Sequence, residues 1–218
     1  MTQAIVHHPS EDLLWALHKG KLPPGLSLAV AGHVDICPHC RGQLNLLDAI
    51  GGALLEDVAG VDMSENALNL ALARIERPEP AIAPQKPQPL FLKGFELPVP
   101  LRKAQITGRY WAAPGVWMAP VHLDGAPPGD KTYLMSVKAG MVMPEHSHHC
   151  LEATLMLKGR FSDNLGEYTV GDFLLCDPDI SHAPAMAPDE DCLCLIWQDA
   201  PIRPKTWLGR LLQPFARI

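Results

Sequence analysis

The sequence predicts a multidomain α + all-β fold, in which a small helical domain precedes a β-barrel or jelly roll. Three observations carry that expectation. Apolar residues recur at helical spacing between residues 10 and 77. Residues 78–89, PEPAIAPQKPQP, hold five prolines in twelve positions. From Phe91 onward, short apolar runs alternate with Gly and Pro punctuation. The boundaries read 1–77 for the helical domain, 78–90 for a Pro-rich linker and 91–218 for the β domain. A chain of 218 residues is long enough for two such units.

Ser10 is placed to cap a first helix from Glu11, with Glu11 and Asp12 at its positive end. Leu13, Leu14 and Leu17 give it one apolar side, and Gly20 and Pro23 end it. From Gln43 to Asp57, Leu44, Leu47, Ile50 and Leu54 recur every three to four residues, the period of an amphipathic helix. Gly51 and Gly52 in its middle cost about 1 kcal/mol each relative to Ala, which is tolerable where another backbone packs close. A third helix is expected from Ser64, with Leu68, Leu72 and Ile75 on one face. Three or four short helices in fewer than 80 residues make a thin core, one that gains from a metal staple.

The linker segment cannot pack as helix or sheet and is semi-rigid, rising about 3.1 Å per residue when extended. Beyond it, TYLMSV (132–137), EATLMLKG (152–159), GEYTVGD (166–172), DFLLC (172–176) and DCLCLIWQ (191–198) read as strands. Their spacing suits an all-β sandwich or barrel. Cys192 and Cys194 fall on one side of the last strand, with Leu193, Leu195 and Trp197 on the other. A strand apolar on both sides is buried, so Cys192, Cys194 and Cys176 read as small core residues, and Cys150 reads as the most reactive of the four.

Charge narrows the function classes. Lys and Arg number 18 against 24 Asp and Glu, a formal net charge of −6, which disfavours coating DNA or a membrane. No apolar run approaches the ~20 residues of a membrane span, and MTQAIVHHPSED does not read as a secretion signal. A cytoplasmic location is therefore expected, and in that reducing compartment six cysteines and ten histidines point to metal ligands or core residues rather than disulfides.

Two constellations carry chemistry. His33, Cys37 and Cys40 follow H-x3-C-x2-C, which places two thiolates and an imidazole around one tetrahedral metal. Two thiolates neutralise Zn2+, so such a site can sit in a small core without net charge. The fourth ligand is expected to be His8, with His7 as its rival and His39 aimed between the cysteines. In the β half, Gly140-x5-His146-x-His148-x3-Glu152-x6-Gly159 matches the first cupin motif. His146 and His148 alternate by two and point to one side of a strand, and Glu152 reaches that side from the next. Gly171-Asp172, Pro178 and His182 resemble the second cupin motif, departing from it where Asp179 and Ile180 stand in place of a turn glycine. Three imidazoles and a carboxylate suit Zn2+ or another divalent transition metal such as Fe, Mn or Ni. Tyr133, Met135, Met143 and Met156 are candidates for the pocket wall.

Together the halves resemble the ChrR family of zinc anti-sigma factors. The resemblance runs through HHPSEDLL (7–14), the knuckle, LLDAIGGALLED (46–57), both cupin motifs, DCLCL (191–195) and LLQPFARI (211–218). It implies that His8, His33, Cys37 and Cys40 bind zinc, and that His146, His148, Glu152 and His182 hold a second metal, zinc in the family. It further implies that the helical half clasps an extracytoplasmic-function sigma factor. The cupin half is then required for release under singlet oxygen or organic hydroperoxide. No catalysis, direct nucleic-acid binding or membrane attachment is expected. The first 77 residues carry nine acids and five bases, net −4, which favours a basic protein partner. The reading from a different class is a metal-dependent cupin enzyme, a dioxygenase or isomerase, with an accessory zinc domain.

Overall fold

Ser10 starts the first helix as its side chain suggests: its Oγ accepts the Leu13 N–H at 3.3 Å, and helix α1 runs over Glu11–His18. Gly20, at φ +62°, turns the chain out of it. Residues 4–78, 89–92, 94–147, 150–178 and 180–200 are described by the structure, a computed structural model. Most of the Pro-rich linker, His148, Asp179 and the terminal LLQPFARI lie outside the described residues.

Helix α2, Pro24–Ile36, has no amphipathic period, because it is apolar nearly all round. A helix of that kind is buried, and α2 buries Leu26, Leu28, Ala29, Val30 and His33. Pro38 disfavours helical backbone at the residue before it, so Cys37 is extended (φ −92°, ψ 110°) and ends α2 while opening α3, Pro38–Glu56. That junction starts α3 five residues earlier than the apolar spacing from Gln43 suggests. Helix α4 spans Ala67–Ile75, so the Ser64 start is displaced by three residues, and Ser64 instead accepts the Ala67 N–H through its carbonyl. A 3-10 turn at Leu90–Leu92 and a short α5, Val99–Arg102, lead into the sheets.

The strands are β1 Gln105–Ile106, β2 Tyr110–Ala113, β3 Val116–His122, β4 Lys131–Val137, β5 His146–Ser147, β6 Glu152–Lys158, β7 Arg160–Ser162, β8 Glu167–Thr169, β9 Phe173–Cys176, β10 Ser181–His182, β11 Ala185–Met186 and β12 Cys192–Gln198. The main antiparallel sheet has the order β1-β3-β4-β12-β6-β9, with β2 on β3. Two smaller sheets, β11-β7-β8 and β10-β5, complete the cupin-like unit. All five strand segments read from the sequence are present, within a residue or three of their expected bounds.

Strand β12 explains the architecture. Cys192, Cys194 and Ile196 face the interior with Tyr133, Met156 and Met186, whereas Leu193, Leu195 and Trp197 face outward. That outer face is covered by α2. Gly25, Ala29 and Gly32 recur at i, i+4 and i+7, and a Cβ on Gly25 would stand 2.2 Å from Trp197 Cδ1 and from Thr132 Oγ1. The missing side chains bring the α2 backbone down onto β4, β6 and β12. Leu14, Leu26, Val30 and Cys40 therefore share one continuous core with Leu97, Leu155, Leu195 and Trp197. The thin helical core is supplemented by the outer face of the sheet.

Helices α3 and α4 remain outside this core. Within α3 only Cys40 is buried, and α4 buries nothing. Among the described residues nothing lies within 4 Å of a Cβ placed on Gly51 or Gly52, so the close-packed backbone that would make these glycines tolerable is not supplied by them. No described helix is long and apolar enough to cross a membrane.

Candidate functional site

Four side chains from three elements converge where α2 meets α3. His33 stands in the last turn of α2, Cys37 is the junction residue, Cys40 lies in the first turn of α3, and His8 arrives on the extended segment before α1. His8 Nδ1 is 3.4 Å from His33 Nε2 and 3.5 Å from each of Cys37 Sγ and Cys40 Sγ; His33 Nε2 is 3.2 Å from Cys40 Sγ. Tetrahedral zinc, with bonds of about 2.0–2.1 Å to nitrogen and 2.3 Å to sulfur, requires donor separations of that size. All the donor atoms lie within 4.8 Å of one another. The donor set and its spacing fit zinc.

The rival ligands go elsewhere. The His7 ring lies against Tyr168, centroids 4.6 Å apart, and its Nε2 is 3.2 Å from the Glu167 carbonyl. The Nε2 of His39 is instead 3.3 Å from Gln43 Nε2. Three of the four gathered residues are buried, and His8 is exposed on a cleft of about 1060 Å³ bordered by Ile5, His39, Arg160 and Asp189. Burial lowers His33 to about 4, so its ring is neutral at pH 7. Burial and the neighbouring Cys37 push the Cys40 thiol up to about 12. A metal entering this site displaces the Cys40 proton, which ties occupancy to the fold around it.

The cupin motifs bring two of their four expected ligands face to face. His146 on β5 pairs in register with His182 on β10, and their Nε2 atoms are 3.1 Å apart. Asp163 Oδ2, wholly buried, accepts from His182 Nδ1 at 2.9 Å, which leaves Nε2 as the lone-pair nitrogen. Asp163 escaped the sequence reading, since nothing in its spacing marks a residue that acts through a histidine. Glu152 opens β6 on the interior face, with Gln198 Nε2 hydrogen-bonded to its carboxylate. Burial raises the Glu152 pKa to about 7 against those hydrogen bonds. Among the described residues Glu152 does not join the two histidines in a three-ligand cluster of the compactness seen at His8. His148 lies outside the described residues.

The interior beyond is rich in sulfur. Cys194 Sγ is 3.5 Å from Cys192 Sγ and 3.4 Å from Met156 Sδ, and Tyr133 is buried beside them while Met135 and Met143 pack at the edge. Cys176 is a core residue, with its thiol pushed up to about 12 by burial. Cys150 is 3% exposed and burial raises its pKa, as burial also does for Cys176 and, behind the Cys192 hydrogen bond, for Cys194, so its place beside the metal motif does not make it an exposed thiolate.

A third feature is a surface. Leu46 (62% exposed), Ile50 (47%) and Leu54 (65%) recur every four residues along α3, and Leu68, Leu70, Leu72 and Ile75 are exposed on α4. So much aliphatic surface on two neighbouring helices marks an interaction site.

Comparison with known proteins places the whole chain beside one group of relatives. The family model described as the ChrR cupin-like domain matches residues 104–200. The anti-sigma-E factor ChrR of Cereibacter sphaeroides is 35% identical over 221 residues, covering 98% of this chain and 99% of its own length. A chain in the crystal structure of Rhodobacter sphaeroides SigE in complex with the anti-sigma ChrR superposes with a TM-score of 0.69 at 32% identity. That match covers 89% of this chain and 100% of the other.

Proposed function

The chain belongs to the ChrR family of anti-sigma factors, and from that premise we propose that it sequesters an extracytoplasmic-function sigma factor on the exposed faces of α3 and α4. The observation that carries the proposal is the Leu46, Ile50, Leu54 stripe, which the described residues leave largely exposed. Gly51 and Gly52 add to it, since open glycines on an exposed helix let a partner backbone approach closely. The net −4 of residues 1–77 suits a basic protein partner. Its relative in C. sphaeroides is an anti-sigma factor, a regulator and not an enzyme. Beyond the proposed ligands, the Asp163 that orients His182, and Tyr133, the barrel wall is rich in Met, Leu and Cys.

His8, His33, Cys37 and Cys40 would hold zinc, which supplies no chemistry here beyond fixing the α2–α3 corner and the segment before α1. His146, His148, Glu152 and His182 would hold a second metal in the cupin. Oxidative signals, singlet oxygen or organic hydroperoxide, would act through the cupin to free the sigma factor. The supporting feature is the cluster of Cys192, Cys194 and Met156, because oxidising a packed thioether makes an apolar side chain polar and disrupts its contacts.

Co-purification of the full chain with the host's candidate sigma factors tests sequestration. A one-to-one complex is expected, and Ile50→Asp or Leu54→Asp should weaken it at least tenfold while leaving the melting temperature within about 2 °C. Binding at wild-type strength by both variants would move the interface elsewhere. His146→Ala should retain the complex but blunt its dissociation under hydroperoxide. Normal dissociation in that variant, followed by size-exclusion chromatography, would remove the cupin histidines from the sensing step.

A further inference from the structure

The turn between β8 and β9, Val170–Asp172, lies against the His8–Cys40 cluster although it belongs to the cupin-like unit. The Gly171 carbonyl accepts from His33 Nδ1 at 2.6 Å, leaving His33 Nε2 as the ligand nitrogen. Asp172 is wholly buried. Its Oδ1 accepts the backbone N–H of Val6 at 2.9 Å and of His7 at 3.0 Å, and its Oδ2 accepts the Thr169 N–H at 2.8 Å. Phe173 N–H donates to the His7 carbonyl at 3.0 Å. Three hydrogen bonds from the turn and one from Phe173, which opens β9, thus orient His33 and fix the backbone that delivers His8. Only glycine permits the approach: Gly171 is at φ +94°, and a Cβ there would stand 2.5 Å from Ile5 Cδ1 and 3.2 Å from Ile36 Cγ2.

The other side of the same turn is held by the barrel. Gly171 N–H donates to the Met156 carbonyl at 2.9 Å, and Met156 N–H donates to the Asp172 carbonyl at 3.0 Å. Met156 carries the thioether that touches Cys194. Its backbone holds the turn, and the turn holds two of the metal-site histidines.

We propose that the Gly171–Asp172 turn is the outer wall of the metal site at His8, His33, Cys37 and Cys40, and that Asp172 is its positioning residue, setting metal retention through His8. The inference rests on the reading of that cluster as a zinc site. It makes the metal's hold depend on the conformation of the cupin, so that a change in the barrel around Met156 reaches the helical site through one turn. Partners that orient metal ligands are worth about 10- to 100-fold in metal affinity, and Asp172 is expected to fall in that range.

The test uses the full chain loaded with cobalt(II), whose thiolate charge-transfer band reads the two-cysteine site alone. The rate at which excess chelator bleaches that band is the observable. Asp172→Ala should accelerate bleaching about 10- to 100-fold, with Asp172→Asn between it and wild type because the amide oxygen still accepts. Glu96→Gln, which loses only an exposed pairing with Arg102, should bleach at the wild-type rate. In a His8→Ala background Asp172→Ala should add nothing, the non-additivity expected of two residues that act as one. Equal acceleration in both backgrounds would reduce Asp172 to general stability and overturn the proposal, as would an unchanged rate in Asp172→Ala. Val6→Pro removes one N–H donor without touching the cupin, so it reads the same bond if Asp172→Ala fails to fold; wild-type bleaching in Val6→Pro then overturns it. Absence of a thiolate band in the wild-type protein would sink the zinc reading as well, whereas a normal band with Asp172-independent bleaching sinks this inference alone.

Discussion

Replacing Cys40 by Ser is expected to abolish both zinc retention at the helical site and sigma binding, while leaving the barrel folded. Cys40 is wholly buried and stands 3.2 Å from His33 Nε2 and 3.5 Å from His8 Nδ1. A serine hydroxyl does not ionise to replace the thiolate, so a metal bound there would be left with one anionic ligand and an uncompensated charge in a buried corner. The binding energy of a structural zinc, about 10–16 kcal/mol in small zinc modules, is largely folding energy. Loss of such a metal would fall unevenly here. Helix α2 keeps its seat on the sheet through Leu26, Ala29 and Val30. Helix α3 buries only Cys40, and its further hold among the described residues comes from the half-buried Leu44 and the Asp48–His18 pair at 3.2 Å. Hydrogen exchange on Cys40→Ser should therefore show protection lost along α3 and retained in β6 and β12, with no sigma complex on size exclusion. A variant that still binds the sigma factor tightly would show that the metal does not organise the partner face.

How much of this was legible in the sequence follows from which residues carry periodic information. Strands β4, β6, β9 and β12 declared themselves because their two faces serve two different cores, and β12 sorts its cysteines and its leucines as the alternation requires. Helix α2 was invisible for the opposite reason: buried nearly all round, it has no polar face to set a period. Its Gly25 and Gly32 are contact points with Trp197 and Leu155, partners that no local pattern announces. The knuckle was legible because Cys-x2-Cys after a helical histidine is a local pattern. The choice between His7 and His8 was not, since it depends on Tyr168, Glu167 and Asp172, all more than 150 residues away. The burial of Cys150 was illegible for the same reason, because proximity to a metal motif in sequence says nothing about burial.

The seat of α2 on the sheet yields the second large effect. Gly25→Ala should destabilise the protein by about 3 kcal/mol, at the upper end of ordinary overpacking. The added Cβ would overlap Trp197 Cδ1 and Thr132 Oγ1, each 2.2 Å away. Neither neighbour yields easily: the Trp197 indole is 2% exposed and its Nε1 donates to Asp130 Oδ2 at 3.0 Å. The helix itself must move, and lifting its first turn strips cover from Leu195 and Trp197. For a chain of this size the melting temperature should fall by roughly 6–12 °C. Gly42→Ala on α3 supplies the contrast, since among the described residues nothing lies within 4 Å of its Cβ. There the helix gains about 1 kcal/mol and melting should not fall. If Gly25→Ala melts with the wild type, α2 is not pressed against β12 in solution. Because His33 lies on the same helix, eight residues on, Gly25→Ala should also loosen the Gly171 contact and hasten metal loss. Scanning calorimetry and chelator-driven metal release on one preparation decide both points, and the two readings should move together only if helix, turn and metal site are one mechanical unit.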